Sequence, residues 1–208
     1  MATALQAQVA PFGLEGSGLA YNAQLVVRYQ GELQKQTGTL LGASGSAQAG
    51  PITLIVGGFT GTLRPSAATP SNPGRSARTT WVGLYVRPAP FIAVGGEAEA
   101  RRYETAVGTA WVRLIGVSAS VTLPTGVPRL AGTASLDYLP LSSASGSDTL
   151  SVAVRGTFGL SYSPAALPIL VHVAYRIERF DFKAVGGQPR RLEQLDGIVV
   201  GAGLRIGR

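Results

Sequence analysis

Charged residues are sparse in this chain, 18 basic and 11 acidic, and several fall at two-residue spacing inside apolar stretches. Glu97, Glu99 and Arg101 do so between Ile92 and Tyr103, and Arg28, Glu32, Arg155, Arg176, Glu178 and Arg205 have comparable surroundings. Carboxylates and guanidiniums gathered on one enclosed face are stable as hydrogen-bonded opposites, because an unpaired charge away from water is costly. The nine therefore read as an internal ion-pair plug, with a selective lining for water or ions as the alternative.

His172 is the one histidine and there is no cysteine, which excludes histidine and thiolate metal clusters and leaves a single candidate base for nucleophilic chemistry. The stretch from Ala165 to Tyr175 holds no serine beside it, so a packed histidine is the expectation. Gly201-Ala202-Gly203 lacks the following helix that a dinucleotide site needs, and no phosphate-binding Gly-x4-Gly-Lys-Ser/Thr run occurs. No catalytic residue, metal or cofactor is assigned.

These side chains need elements to position them, and the periodicity supplies strands. Leu19, Tyr21, Ala23, Leu25, Val27 and Tyr29 alternate with Ala20, Asn22, Gln24, Val26, Arg28 and Gln30, a period of two. The same alternation runs through 150–162, 169–178 and 198–207, more weakly through 92–101, 117–123 and 130–138, with further strands near 52–63 and 80–87. Compact proline-bounded turns at 87–90, 124–128 and 163–168 alternate with polar links at 64–79, 103–107, 141–148 and 183–191. Parity then asks for a turn at 48–51, a weak strand over 39–47 and a turn at 34–38. The count is ten strands, with eight as the alternative. The fold class is an all-β, antiparallel up-and-down transmembrane β-barrel over 18–208, preceded by a periplasmic or loosely ordered segment 1–17.

Composition agrees. Of 208 residues, 14% are charged and 45% hydrophobic, so part of the surface is expected to face lipid. The long uncharged runs 36–63 and 156–175 are broken by Gly, Ser, Thr and Pro and do not read as membrane helices. The opening Met1-Ala2-Thr3-Ala4 has no basic-then-apolar pattern, so export requires a leader removed from this sequence.

With the strands in place, the chain resembles the small outer-membrane β-barrel proteins of Gram-negative bacteria, OmpA- or OmpX-like in the broad sense. The resemblance covers 18–208 and rests on the repeated strands and on the ending Gly201-Ala202-Gly203-Leu204-Arg205-Ile206-Gly207-Arg208, in which Gly201, Leu204 and Ile206 match the family's C-terminal assembly signal. The final aromatic of that signal is replaced by Arg208. The resemblance implies an outer-membrane location, surrounding lipid and the barrel-assembly machinery as partners, and a non-enzymatic structural or surface-interaction role. A narrow channel and a membrane-embedded hydrolase are the alternatives, and a soluble lipid-binding barrel or sandwich is a third.

In such a barrel Tyr21, Tyr29, Trp81, Tyr103, Trp111, Tyr138, Tyr162 and Tyr175 are expected at the two aromatic girdles, with the polar strand faces turned inward. The net charge of +7 draws on Arg64, Arg75, Arg78, Arg101, Arg102, Lys183, Arg190 and Arg191 in outer links, where lipopolysaccharide phosphates are the expected partners. Nucleic acid is not, for want of a basic helix or an interleaved aromatic platform.

Overall fold

Alternating side chains and proline-bounded turns fold this chain into ten consecutive antiparallel strands. A computed structural model describes residues 12–66, 74–105, 108–145, 149–164, 166–184 and 190–207. The strands are β1 Phe12–Tyr29, β2 Glu32–Ala49, β3 Ile52–Pro65, β4 Arg75–Ala89, β5 Ile92–Thr105, β6 Gly108–Pro124, β7 Leu130–Ala144, β8 Thr149–Tyr162, β9 Ile169–Lys183 and β10 Arg191–Ile206. Each pairs with its sequence neighbours, and β1 pairs with β10 from Leu14↔Ile206 to Tyr29↔Arg191, closing the barrel. Closure removes the unpaired edges that an open sheet would expose to lipid.

Several boundaries differ from the sequence reading: the polar links expected at 64–79, 103–107 and 141–148 are shorter, since β4 already starts at Arg75, β5 runs on to Thr105 and β7 to Ala144. β1 begins at Phe12, so 12–17 belong to the wall; residues 1–11 lie outside the described residues. The expected turn at 34–38 is strand, because β2 starts at Glu32 directly after a tight turn at Gln30 and Gly31. Among the described residues no helix is long and apolar enough to cross a membrane.

The wall has two tiers. From the end carrying the short turns, outward side chains are apolar for nine residues: Ile169 to Ile177 on β9, Ile206 back to Ile198 on β10, and Ile92 to Ala100 on β5. At about 3.3 Å per residue and a tilt of about 40° this stripe is about 22 Å tall, close to the ~25 Å apolar band of a membrane barrel. The next outward residues are Arg179, Asp196 and Arg102. The strands run to 14–18 residues, well beyond the roughly 9–11 that span a bilayer, so the loop end projects past the band.

In that projecting tier the polarity inverts. Tyr21, Leu25, Leu40, Leu63 and Tyr103 fill the lumen on one side, and Val112, Leu114, Leu139, Phe180 and Phe182 on the other. Asn22, Lys35 and Thr39 face out instead. The loop-end half is thus built like a water-soluble barrel, apolar within and polar without. This overturns the expectation that the polar face of β1 points inward: Leu19, Tyr21, Ala23, Leu25 and Val27 pack inside, and Arg28 is exposed on the outer wall.

Candidate functional site

The lumen is crossed at the boundary between the tiers by one layer of buried ions. β5 contributes Glu97, Glu99 and Arg101 at successive inward positions. Strand register supplies the opposite wall: Ser118 pairs with Asp137, Asp137 with Arg155, and Arg155 with Glu178, so one cross-strand row through β6 to β9 carries all four. Arg176, one inward position nearer the turn end of β9, completes the layer. Each of these side chains is at most 11% exposed.

Opposite charges are interlaced across the barrel. The Arg155 guanidinium bridges Glu97 and Glu99 on the far wall, lies 3.3 Å from Asp137 and 3.4 Å from Glu178. Arg101 donates to Glu99 at 2.8 Å and to Glu178, and Arg176 pairs with Glu178. Tyr85 donates to Glu97 at 3.1 Å, and the Ser118 hydroxyl to Asp137. Aromatic faces take the remaining guanidinium surface: Arg176 lies 5.7 Å from the Phe59 ring and 5.6 Å from Trp81, and Arg101 lies 4.6 Å from Phe180. Such pairing offsets the desolvation that would otherwise expel these charges.

Below the layer the lumen opens. A cavity of about 240 Å³ reaches Glu97, Asp137, Arg155 and Arg176, and shares Thr53, Ile55, Arg87 and Thr157 with a vestibule of about 1090 Å³ that opens beside the turn at Thr125–Arg129. Above the layer stand the packed apolar clusters. The passage is therefore a cup, open at the turn end and closed by ions and then by apolar side chains.

Of the nine charges expected to meet in the lumen, Glu97, Glu99, Arg101, Arg155, Arg176 and Glu178 do so. Arg28 and Glu32 are exposed at the loop end, the first because β1 turns its apolar face inward. Arg205 does face inward, but at the vestibule mouth, where it binds Glu15 at 2.8 Å and 3.0 Å. Asp137, Ser118 and Tyr85 were missed. Their signal was present, since each sits on the inward parity of its strand, but the partners lie on other strands.

The aromatic set divides. Tyr21 and Tyr103 are buried in the lumen, and Tyr29 and Trp81 pack against the same cluster, so these four are not at a lipid interface. Trp81 lies over Gly57, where a β-carbon would come within 2.3 Å of the indole. Trp111, Tyr138, Tyr162 and Tyr175 are on the outer wall. The basic links divide likewise: Arg101 is in the ion layer, Arg75 sits 5.6 Å from the Tyr103 ring and Arg191 4.1 Å from the Phe182 ring.

His172 lines the vestibule. The register puts Ser161 opposite it, a neighbour that sequence distance concealed. Among the described residues no hydrogen bond joins His172 to Ser161 or Glu15, and its ring covers Gly201, where a β-carbon would lie 2.1 Å from Cε1.

No sequence-family model and no curated protein matches this chain. Its structure is similar to that of the outer membrane protease OmpT from Escherichia coli, with a TM-score of 0.60 and 9% identity over 95% of this chain and 97% of that one. It is also similar to the translocator domain of the autotransporter NalP from Neisseria meningitidis, with a TM-score of 0.54 and 16% identity over 93% and 88%. At these identities the likeness is one of fold, and the fold is that of the bacterial outer-membrane β-barrels.

Proposed function

We propose that this protein is a non-enzymatic integral outer-membrane barrel with a closed lumen, acting as a structural or surface-presenting element. The turn end faces the periplasm and the projecting tier faces outward. The observation that carries the reading is the buried ion layer, backed by apolar side chains on its loop side and by water-accessible space on the other. A conducting pore needs a continuous polar path, and the apolar tier interrupts it.

Planar-bilayer recording tests this. The wild-type barrel should show no steady conductance, whereas Glu99→Ala with Arg155→Ala, which strips two members of the layer, should produce fluctuating leak or an unstable barrel. A large, stable wild-type conductance would overturn the closed-lumen reading in favour of a channel.

A hydrolase is the second reading, favoured by Ser161 lying opposite His172 with the Glu15 carboxylate in the same vestibule. Against it, Glu15 is held by Arg205 and the imidazole is packed over Gly201. Esterase activity in the purified barrel that disappears in Ser161→Ala would establish it.

A further inference from the structure

Outward-facing cations cluster at one level of the wall. Among the described strand residues, none points out within the nine-residue apolar stripe, while Arg28, Lys35, Arg78, Arg102, Arg113 and Arg179 lie on its loop side. Several of these are already engaged: Arg102 pairs with Glu104 at 2.8 Å, and Arg113 stacks 4.9 Å from the Trp111 ring.

Register brings Arg28, Lys35 and Arg179 together. Val26 opposes Lys35 on β2 and Gln194 on β10, and Gln194 opposes Arg179 on β9. Lys35, Val26, Gln194 and Arg179 thus form one row across four strands, with Arg28 on the next outward row between Leu33 and Leu192. The side chains enclose a groove of about 400 Å³ with no acidic residue in its lining. Asp181, whose charge reaches Arg179, is occupied by Arg190 at 2.8 Å.

Depth identifies the occupant. Arg179 is two residues past Ile177, the last apolar outward position of β9, so the groove starts where hydrocarbon gives way to headgroups and rises from there. Guanidinium and ammonium groups converge on phosphate oxygens by charge-assisted hydrogen bonds. Leu33, Val26 and Leu192 between them supply apolar surface that a small hydrated anion does not use. We infer that this groove binds the phosphorylated headgroup of an outer-leaflet glycolipid, lipopolysaccharide, through Arg28, Lys35 and Arg179. The inference rests on the outer-membrane placement proposed above.

The test uses the full chain refolded into vesicles of neutral phospholipid and titrated with fluorescent deep-rough lipopolysaccharide. Binding should weaken about a hundredfold in Arg28→Gln/Lys35→Gln/Arg179→Gln, at roughly fivefold per cation. It should weaken similarly for wild type when the lipopolysaccharide is dephosphorylated. Arg113→Gln, away from the groove and stacked on Trp111, should bind like wild type. Equal affinity of the triple variant and wild type would overturn the inference. So would competition by inorganic pyrophosphate as effective as by the glycolipid, which would make this a site for a soluble anion. Heat-modifiable migration of each variant reports insertion separately: a wild-type chain that enters no vesicle sinks the membrane reading itself, whereas an inserted barrel indifferent to the three cations sinks only this one.

Discussion

Replacing Arg155 with methionine removes the one side chain that touches every carboxylate of the ion layer, and the cost can be apportioned from the geometry. Glu99 keeps Arg101 at 2.8 Å, and Glu178 keeps both Arg101 and Arg176. Glu97 is left with the Tyr85 hydroxyl at 3.1 Å, and Asp137 with Ser118. The loss therefore falls on two carboxylates stripped of their cation. Breaking a buried pair on one side costs about 3–5 kcal/mol, and the adjoining cavity, which reaches both carboxylates and admits water, places the expectation near the lower figure, about 3 kcal/mol. Neutralising the stranded acids, in Arg155→Met/Glu97→Gln/Asp137→Asn, should recover about 2 kcal/mol, because amides in these places keep the hydroxyl partners without the charge. Asp137→Asn alone should cost less than about 1 kcal/mol, since among the described residues four carboxylates face three guanidiniums and the layer tolerates the loss of one negative charge. Guanidinium titration in lipid vesicles measures these differences through the fluorescence of Trp81, which stacks near Arg176. A loss below about 1 kcal/mol in Arg155→Met, with no recovery in the triple variant, would refute the view that ion pairing holds the layer together.

The two-tier wall makes a paired prediction: Val173→Arg, in the middle of the apolar stripe, should cost about 2–4 kcal/mol in vesicle refolding, whereas Val26→Arg, outward but beyond the stripe, should cost almost nothing. Equal costs would remove the stripe's claim to be the membrane-embedded part. For orientation, Arg64→Cys on intact cells should react with an impermeant maleimide and Val127→Cys only after permeabilisation; the reverse pattern would invert the topology.

Period-two alternation and the order of turns made the barrel, its antiparallel order and its ten strands readable from the chain alone, because a strand's side-chain period and a proline's missing donor are local properties. The inward charges of β5, β8 and β9 were readable for the same reason: they interrupt apolar stretches at a spacing that puts them on one face. Which face is the inner one was not. In β1 alternation distinguishes Leu19, Tyr21 and Leu25 from Asn22 and Gln24, yet the assignment inverts where the barrel leaves the apolar band, since the polar side then faces water. Leu150 shows the same limit in one residue: it shares the spacing of Val152 and Val154, but an irregularity between Leu150 and Val152 turns it into the lumen, where it is 7% exposed. Asp137 joined the ion layer, and Arg28, Lys35 and Arg179 came together on the outer wall, only through register between strands. Alternation along a strand determines which side chains share a face; closure of the barrel and pairing across it decide which medium that face meets and which distant charges become neighbours.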